Sequence, residues 1–407
     1  MIISIAWRNI WRNKMRSLVV ILAVTLGLFG TLFMIALSNG MVEQKISESI
    51  HNEISHIQVH NPEFLQDNSL KYPVENADSI VAAAYRIPGV VGVTSRIKTT
   101  AMASTASNGT GIIIHGIDPG AEKKVTRISQ CLVEGDYFDT ESRTPRILIS
   151  QKLAGKLKAK MGSKIVITLQ NVQGDLVYGL FRVKGIYKTS NGMFDELNLF
   201  VLREDLVSLT GFDPSNATEI AILMNETEQT GHAAAELQKA LPGLSILPWN
   251  ILEPTLKMLS SMMDQMSYFL LIIILAAMAF GIVNTMLMSI LERTRELGML
   301  MSVGMNRRKI FMMIMLETIF LACVGTAVGV ALSAATIKAT SAKGINFAAW
   351  AEGFESLGYS ALVYPALYPS LYITLTVMVI VTAIVASIYP ARKALSLNPA
   401  EAVRHEA

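Results

Sequence analysis

The sequence contains only two cysteines and is poor in charged residues. Cys131 lies in a polar region and Cys323 in an apolar one, so the two are not expected to form a disulfide, and the redox compartment stays open. Charged residues make up 16% of the 407 residues, compared with about 25% in ordinary soluble domains. The formal net charge of +3 is too small to indicate binding to nucleic acid. These shortages argue against a disulfide scaffold and against a nucleic-acid-binding protein.

Motifs for catalysis and nucleotide binding are also missing. The chain has no GxxxxGK[ST] phosphate loop, so it is not expected to hydrolyse ATP itself. It has no HExxH, GxSxG or CxxC motif either, so we predict no catalytic residue. The nearest approach to a metal-binding pattern is the group of His51, Glu53, His56 and His60, but His51 and His56 would diverge on a helix. We therefore predict no bound metal and no bound cofactor, and interpret this group as a solvated junction.

Apolar residues, in contrast, are in excess: they make up 51% of the chain, and the mean hydropathy is +0.42. Four segments reach the roughly 20 residues that a helix needs to cross a bilayer. The first is longer than the roughly 7–15 apolar residues of a signal peptide, so we expect it to be retained as a span. We predict a cytoplasmic interfacial helix at 1–16, membrane spans at 17–37, 268–291, 310–337 and 371–389, an extracytoplasmic region at 38–267, a cytoplasmic coupling helix at 292–309, a short extracytoplasmic loop at 338–370 and a cytoplasmic tail at 390–407.

The positions of lysine and arginine predict the orientation of these spans. Basic residues cluster before the first span, between the second and third spans, and after the fourth. The loop at 338–370 has only Lys338 and Lys343, which two glutamates offset. We therefore expect both termini and the 292–309 connector to be cytoplasmic. The leader at 1–16 has two interpretations. It is either an interfacial helix whose tryptophans lie at the level of the lipid headgroups, or a basic segment that only flanks the first span.

The region at 38–267 mixes patterns typical of strands and of helices. We predict an α/β domain of roughly 200 residues, with polar helical stretches at 38–50 and 251–266 that extend the adjoining spans as stalks. Because a continuous helix is stiff, such stalks would transmit rearrangements of the membrane helices to the domain. The predicted strands are 54–59, 90–97, 112–117, 146–149, 164–169, 176–187, 197–201 and 219–223, and the predicted helices are 77–86, 151–158, 203–209 and 227–240.

The connector at 292–309 carries the strongest functional signal. Glu292 and Glu296 have i, i+4 spacing, apolar residues alternate with the charges, and Gly304 permits a turn before the next span. A simple charged loop would not need this alternation, so we predict a helix that docks on a partner protein. The residues assigned to this coupling site are Glu292, Arg293, Thr294, Arg295, Glu296, Leu297, Gly298, Met299, Gly304, Arg307 and Arg308.

Four residues inside the apolar segments are candidates for helix packing or coupling. Glu317 lies about two turns into the third span, where a carboxylate is costly, and a structural or coupling role is favoured over a proton relay. Gly325 and Gly329 form a GxxxG pattern suited to close helix packing. Asn284 in the second span is a candidate hydrogen-bond donor between helices.

The chain resembles the FtsX-like permeases of ABC transporters, which include MacB-type exporters and lipoprotein-releasing permeases. The resemblance is carried by the Glu292–Gly298 and Ser302–Arg308 stretches of the connector and by the leader from Ala6 to Lys14. Met161–Val166 is similar to part of a MacB-like periplasmic core. The end of the chain is similar to the tail of the family, with Tyr389, Pro390, Arg392, Pro399 and Glu401 as the matching residues.

This resemblance implies a fold and a mode of action. The fold would be an α-helical integral membrane protein with four transmembrane helices and an extracytoplasmic α/β domain, the MacB-like periplasmic core, between the first two. The protein would act as a permease subunit in a bacterial inner membrane, beside a second permease copy that is identical or a paralogue. A separate ABC ATPase would hold ATP and Mg²⁺ and move the connector, since no ATPase domain is expected here.

The preferred hypothesis from the resemblance is lipoprotein release from the inner membrane, with a lipoprotein substrate and a periplasmic chaperone or adaptor as further partners. The alternatives are MacB-like export of another substrate and an FtsX-like regulator of cell-wall hydrolases that transports nothing. A membrane-bound enzyme has no catalytic constellation in its favour.

Overall fold

A computed structural model describes residues 2–12, 14–138 and 144–395, and the chain divides into two compact units. The membrane unit comprises Met1–Val42, Ser260–Asn346 and Leu362–Ala407. The α/β unit comprises Glu43–Leu259 and Phe347–Ala361. The predicted tail residues Pro399 and Glu401 lie outside the described residues.

Fifteen α-helices are found within the described ranges. They are α1 (Ile2–Arg12), α2 (Lys14–Ser49), α3 (Phe64–Asp67), α4 (Ala77–Ala84), α5 (Pro119–Glu122), α6 (Gln151–Leu157), α7 (Gly192–Leu197), α8 (Arg203–Thr210), α9 (Thr230–Ala240), α10 (Trp249–Leu252), α11 (Pro254–Glu292), α12 (Thr294–Ser302), α13 (Arg307–Lys343), α14 (Ala351–Ser356) and α15 (Pro369–Leu395).

Four helices in the described part of the chain are long and apolar enough to cross a membrane, and they correspond to α2, α11, α13 and α15. An α/β region lies between the first and the second of them. The predicted fold class is confirmed in these two respects.

Several predicted boundaries need correction. The connector is not one helix over 292–309: α11 ends at Glu292, α12 covers Thr294–Ser302, and α13 begins at Arg307. Gly304 ends the short helix because it adopts φ +93°, a conformation that glycine reaches without strain. The stretch at 251–266 is not continuous either, because α10 ends at Leu252 and α11 begins at Pro254. Proline has no amide hydrogen to continue a helix, but it is well suited to the first turn of a new one.

The membrane helices also extend past their predicted ends. Helix α13 continues from the predicted limit at 337 to Lys343, and α15 runs from Pro369 to Leu395, so the predicted tail at 390–407 begins inside a helix. The polar residues at these ends keep their backbone hydrogen bonds within the helix, which is why hydropathy alone places the boundaries too early.

All the predicted strands are present, and four short ones were missed. The strands are β1 (Ile57–His60), β2 (Val90–Ser104), β3 (Gly109–Ile117), β4 (Leu132–Gly135), β5 (Arg146–Ser150), β6 (Lys164–Gln170), β7 (Leu176–Tyr187), β8 (Asn198–Leu202), β9 (Glu219–Met224), β10 (Ser245–Pro248), β11 (Ile345–Asn346) and β12 (Leu362–Val363). The missed strands are β4, β10 and the two-residue pair β11 and β12, which are too short for an alternation pattern to appear.

The α/β unit is built around the long strand β2, which belongs to two layers. Its first half joins the antiparallel order β10–β1–β9–β2, covered on one face by α4 and α9. Its second half closes a ring of six strands in the order β2, β3, β8, β5, β7 and β6, since β6 pairs with both β7 and β2. Apolar side chains such as Ile114, Ile167 and Val183 fill this ring.

A buried ion cluster joins β2 to α5 and β9 within the α/β unit. The Arg96 guanidinium donates to Glu122 at 2.8 and 3.0 Å and to Glu219 at 2.6 Å, and all three side chains are at most 2% exposed. Lys98 lies 3.5 Å from Glu219, and Thr126 donates to Glu122 at 2.9 Å. Burial alone would raise the pKa of Glu219, but the Lys98 and Arg96 cations hold it well below its usual range. Charges this deeply buried are tolerated because each is paired and hydrogen-bonded.

Glu53 is the clearest source of pH dependence in the α/β unit. It lies in a five-residue π-helical turn, Ile50–Ile54, that follows α2. Burial raises the pKa of Glu53 to about 7, and the 2.7 Å hydrogen bond from the Asn191 amide only partly opposes this effect. The folded state therefore binds the Glu53 proton more tightly than the unfolded state does.

The stability of the protein is therefore expected to fall as pH rises from about 4.5 to about 7, because ionised Glu53 is penalised in the folded state. The cost above pH 7 is about 3 kcal/mol, at roughly 1.4 kcal/mol for each pH unit between the two pKa values. Glu53→Gln should remove the part of this pH dependence that Glu53 causes, as measured by thermal unfolding of the purified chain in detergent. The buried Asp195 carboxyl, whose pKa is also raised, to about 6, should leave a smaller dependence in the same range. Glu63→Gln, at an exposed position of the same unit, should leave the profile unchanged. Unfolding curves of E53Q that still follow those of the parent chain would contradict the assignment.

Candidate functional site

The connector at 292–309, which runs from the last residue of α11 to the first residues of α13, is the candidate functional site. Its centre is the nine-residue helix α12, which carries Glu296 in its first turn, where a carboxylate is favourable. The Thr294 hydroxyl donates to the Leu291 carbonyl at 2.7 Å and so fixes the start of α12 against the end of α11. At the other end, the Asn306 side chain accepts from the Arg308 amide at 3.0 Å and caps α13.

One face of α12 packs into the core of the membrane unit. Leu297 is 2% exposed, Gly298 is buried, and the cluster that Leu297 joins includes Ile290, Ile310 and Met313. The sequence places Leu297 and Gly298 among the predicted coupling residues. Their burial removes them from the surface that a partner could touch. They hold the connector in place instead.

The opposite face of α12 is exposed, and we call it the exposed connector face. It consists of Arg295, Met299 and Val303, which recur at i, i+4 and i+8 along the helix. Met299 is 49% exposed and Val303 is 89% exposed, whereas such apolar residues usually pack inside a protein. Arg307 and Arg308 are exposed just beyond the turn, as is Glu292 before it. This face combines apolar contact with flanking positive charge.

A second group of residues, which we call the Arg293 cluster, ties the connector to two other helices. It consists of Asn9, Arg12, Arg293, Glu296 and Glu317. Arg293 lies 3.1 Å from Glu317 of α13 and 3.0 Å from Glu296 of α12. From α1, the Asn9 amide donates to Glu317 at 2.6 Å, and Arg12 pairs with Glu296. The cluster thus joins the leader helix, the connector and the third membrane helix.

Electrostatics favour the charged forms of Arg293 and Glu296. Burial lowers the pKa of Arg293, but the neighbouring carboxylates of Glu317 and Glu296 outweigh it and raise that pKa above its usual value. The hydrogen bond from Arg12 lowers the pKa of Glu296. Glu317 itself is 5% exposed, so Arg293 and Asn9 supply the compensation that a buried carboxylate needs. This geometry gives Glu317 a structural contact with the connector.

Sequence reasoning missed the two members from the leader. The sequence predicts the leader only as an interfacial helix or a basic flank, whereas Asn9 and Arg12 contact residues about 300 positions away. A weak signal was available, because Asn9 and Arg12 are spaced i, i+3 and so lie on one side of α1. The identity of their partners could not be read from that spacing.

The glycine pair packs inside the chain. A Cβ atom at Gly325 would lie 2.9 Å from Val24 of α2, and one at Gly329 would lie 3.1 Å from the Thr25 carbonyl oxygen. The Thr25 hydroxyl also donates to the Gly325 carbonyl at 3.0 Å. The GxxxG pattern therefore allows α13 to approach α2 closely.

The remaining predicted residues lie at the surface or in α15. Asn284 is exposed on α11 rather than buried between helices of its own chain. Tyr389 is 59% exposed, Arg392 is exposed, and Pro390 is buried inside α15. None of these residues belongs to the Arg293 cluster.

The group of His51, Glu53, His56 and His60 is not the predicted solvated junction, because His56 and His60 are only 3% and 2% exposed. The rings of His51 and His56 are in edge contact, with their centroids 6.2 Å apart. His56 contacts the Thr227 hydroxyl at 3.1 Å, and His60 contacts the Thr218 carbonyl at 3.0 Å. Within the ranges that the structure describes, no group of three or more His, Cys, Asp or Glu side chains is arranged to hold a metal ion.

Two protein families match the chain. Residues 17–240 match the family described as MacB-like periplasmic core domain, and residues 268–399 match the FtsX-like permease C-terminal family. The first match covers more than half of the 407 residues.

Several curated proteins are similar to this chain at low sequence identity. The macrolide export ATP-binding/permease protein MacB of Neisseria gonorrhoeae is 25% identical over 348 residues, covering 79% of this chain and 50% of MacB. The chain thus spans about half the length of the MacB relatives it matches. The lipoprotein-releasing system transmembrane protein LolC of Neisseria meningitidis serogroup B is 22% identical over 423 residues, covering 96% of this chain and 94% of LolC.

Solved structures also match. The periplasmic region of MacB from Actinobacillus actinomycetemcomitans matches 53% of this chain and 98% of that chain, with 13% identity and a TM-score of 0.36. The extracellular domain of the noncanonic ABC-type transporter YknZ from Gram-positive bacteria matches 47% of this chain and 98% of its own, with 17% identity and a TM-score of 0.33.

Proposed function

Since this chain belongs to the family of FtsX-like permeases with a MacB-like periplasmic core domain, we propose that it is the permease subunit of an ABC transporter. In this proposal a separate ATPase subunit binds ATP and Mg²⁺ and moves the connector, and the membrane helices carry that movement to the extracytoplasmic domain. The chain itself catalyses no reaction. Both termini and the connector lie on the cytoplasmic side of a bacterial inner membrane, as the basic residues beside the spans favour.

The observation that supports this proposal most strongly is that α12 has one buried face and one exposed face. Met299 and Val303 on the exposed connector face offer apolar contact to a partner, while Leu297 on the opposite face anchors the same helix in the membrane unit. A force applied to the exposed face therefore reaches α13 through the Arg293–Glu317 pair and α1 through the Arg12–Glu296 pair. The helix is suited to receive a movement and to pass it on.

Introducing negative charge on the exposed connector face tests the docking step. Met299→Glu combined with Val303→Glu should abolish co-purification of the ATPase subunit that the unchanged chain retains, because two buried carboxylates would be unpaired at the interface. The control is Met193→Glu, which replaces an even more exposed methionine (69% exposed) in the α/β unit. Retention of the ATPase by the double variant would rule out docking at this face.

Lipoprotein release is the substrate hypothesis that we favour. Its support is the similarity to LolC over almost the whole of both chains, whereas the similarity to MacB extends over half of MacB. Export of another substrate is the alternative that the MacB-like core favours. Depletion of the protein from cells distinguishes lipoprotein release and export of another substrate from FtsX-like regulation of cell-wall hydrolases. Lipoproteins retained in the inner membrane support release, and misshapen or unseparated cells with normal lipoprotein sorting support regulation.

A second permease copy completes the proposed complex, and Asn284 marks the surface we assign to it. Asn284 lies on the exposed side of α11 between Phe280, 69% exposed, and Met288, 57% exposed. These three residues repeat at i, i+4 and i+8, so they form one stripe along the helix. An amide side chain that faces lipid has no hydrogen-bond partner, which is unfavourable. A hydrogen bond to a helix of the second copy would remove this cost.

Asn284→Leu is therefore expected to weaken self-association by about threefold to tenfold, the range given by hydrogen bonds between membrane helices. Fluorescence energy transfer between labelled copies in vesicles measures this change. Thr374→Leu on α15, also an exposed polar position, serves as the matched control. If N284L associates as tightly as the parent chain, the stripe is not the contact between copies.

A further inference from the structure

The turn that joins the end of α2 to β1 is under backbone strain, and we call its residues 50–55 the hinge turn. Five of them form the π-helical turn Ile50–Ile54, which the Ser55 amide closes by donating to the Ile50 carbonyl at 2.9 Å. Such turns are rare and occur frequently at functional sites. Ser55 has φ 61° and ψ −176°, a conformation that is essentially confined to glycine. Since the His56 amide already bonds to Ile222 of β9, the change from helix to strand falls on this one strained residue.

The hinge turn also contains buried polar atoms without hydrogen bonds. Ser55 is 0% exposed, and its hydroxyl has no partner among the described residues. Within the same residues, the side-chain oxygen of Asn52 is buried and has none either. Such atoms are unfavourable because they have lost water without gaining another partner. Together with the strain at Ser55, they make this conformation costly, so contacts from outside the turn must hold it.

Three hydrogen bonds from other parts of the α/β unit hold the hinge turn. The Arg127 amide donates to the His51 carbonyl at 2.9 Å, and the Arg96 guanidinium donates to the Glu53 carbonyl at 3.3 Å. The third bond goes to a side chain, because the Asn191 amide donates to the Glu53 carboxyl at 2.7 Å. Of the groups in these three bonds, only the Glu53 carboxyl can lose a proton near neutral pH.

The surroundings of the Glu53 carboxyl make its ionised form unfavourable. Glu53 lies about 24 Å beyond the predicted end of the first span at 37, at 1.5 Å per residue, so protons from the water can reach its unit. Burial raises its pKa to about 7, and Glu253, just before α11, and Asp195 of α7 raise it further. Lys98 of β2 and the hydrogen bond from Asn191 oppose these effects only in part. Loss of the Glu53 proton therefore weakens the hold on the hinge turn.

We propose that the hinge turn is a proton-controlled switch with two states. In the held state, which is the one described here, neutral Glu53 keeps the π-helical turn and the strained Ser55 in place. In the released state, ionised Glu53 leaves its buried position, Ser55 adopts an ordinary conformation, and the end of α2 separates from the sheet. The switch belongs to this chain alone and does not rest on the proposed transport function. In the proposed permease, it would let external protons decide whether movement of α2 reaches the sheet.

Fluorine NMR at Trp249 measures the two states in the full-length chain in detergent. Trp249 packs in one apolar cluster with Ile50 and Ile54, so its ring reports the position of the hinge turn. The chain is labelled with 5-fluorotryptophan, Trp249→Phe identifies the resonance, and saturation transfer detects a released state of low population. We expect the ratio of released to held chains to rise about tenfold per pH unit between about 4.5 and about 7, and to level off above that range.

Two variants separate the effect of the proton from that of the strain. Glu53→Gln imitates the neutral carboxyl, so it should keep the ratio low and leave only a smaller rise near pH 6 from Asp195. Ser55→Gly relieves the strain of the held state and should lower the ratio about fivefold at every pH, without changing its slope. Lys158→Gly is the matched control, because Lys158 also has a positive φ of 51° but follows α6, and it should leave the ratio unchanged.

Three results would overturn the proposal. The first is a single Trp249 resonance, without saturation transfer, that is the same from about pH 5 to about pH 8. The second is a ratio that rises as steeply in E53Q as in the parent chain. The third is an unchanged ratio in S55G, or an equal decrease in K158G, because the strain at Ser55 would then have no part in the switch.

Discussion

In the proposed ABC transporter, replacing Glu317 with glutamine is expected to lower transport by about tenfold while ATPase binding is retained. The substitution leaves Arg293 buried with Glu296 as its remaining carboxylate and removes the charged acceptor of Asn9. Removing one partner from a buried ion pair costs about 3–5 kcal/mol when the pair is fully buried, and Arg293 at 16% exposure should lose part of that amount. We expect the connector and α13 to move independently in this variant.

Reconstituted vesicles that contain the permease and its ATPase measure this effect. ATP hydrolysis should continue in the Glu317→Gln variant, whereas release of the substrate per ATP hydrolysed falls. The double variant Arg293→Gln with Glu317→Gln should transport no better than Glu317→Gln alone, because both variants lack the Arg293–Glu317 pair that passes the movement to α13. Glu196→Gln is the control, since Glu196 pairs with Lys156 at the surface, where an ion pair contributes little. Full transport by E317Q would show that the Arg293 cluster does not transmit the movement.

Arg96→Met is expected to have the largest effect on stability, about 3–5 kcal/mol. The substitution leaves Glu122 and Glu219 fully buried without the cation that contacts both. Since Arg96 joins β2 to α5 and β9, these three elements should loosen together. Hydrogen exchange at the amides of β2 and β9 in the purified chain reports the change.

Two comparisons separate the charge effect from a packing effect. Arg182→Met, at an exposed position of β7, should leave exchange in β2 and β9 unchanged. Combining Arg96→Met with Glu122→Gln and Glu219→Gln removes all three charges and should recover a large part of the lost stability. A loss below 1 kcal/mol in the single variant would mean that the ion cluster does not hold these elements together.

Local patterns in the sequence predicted much of the fold. The strand predicted at 176–187 is confirmed as β7, and the helix predicted at 151–158 is confirmed as α6 with a one-residue difference. Such elements are predictable because their periodicity is contained in neighbouring residues. The resemblance to FtsX-like permeases is confirmed by the two family matches, because connector residues such as Glu292 and Gly298 fall inside the second of them.

Features that depend on distant contacts were not predictable. The closure of the six-stranded ring depends on β6 pairing with β2, and nothing near Lys164–Gln170 specifies that partner. The division of connector residues into a buried and an exposed face depends on the core that Leu297 enters. The contact between Asn9 and Glu317 joins residues 308 positions apart, and a single sequence gives no sign of it.

Site-specific photo-crosslinking tests the central claim most directly. A photoreactive amino acid is placed at Val303 on the exposed connector face, or at Leu297 on its buried face, in cells that also produce the partner ATPase. We predict a crosslink to the ATPase from position 303 and, from position 297, crosslinks within the chain alone. Failure to capture the ATPase from position 303, or equal capture from both positions, would contradict the conclusion that this helix receives the movement of an ATPase.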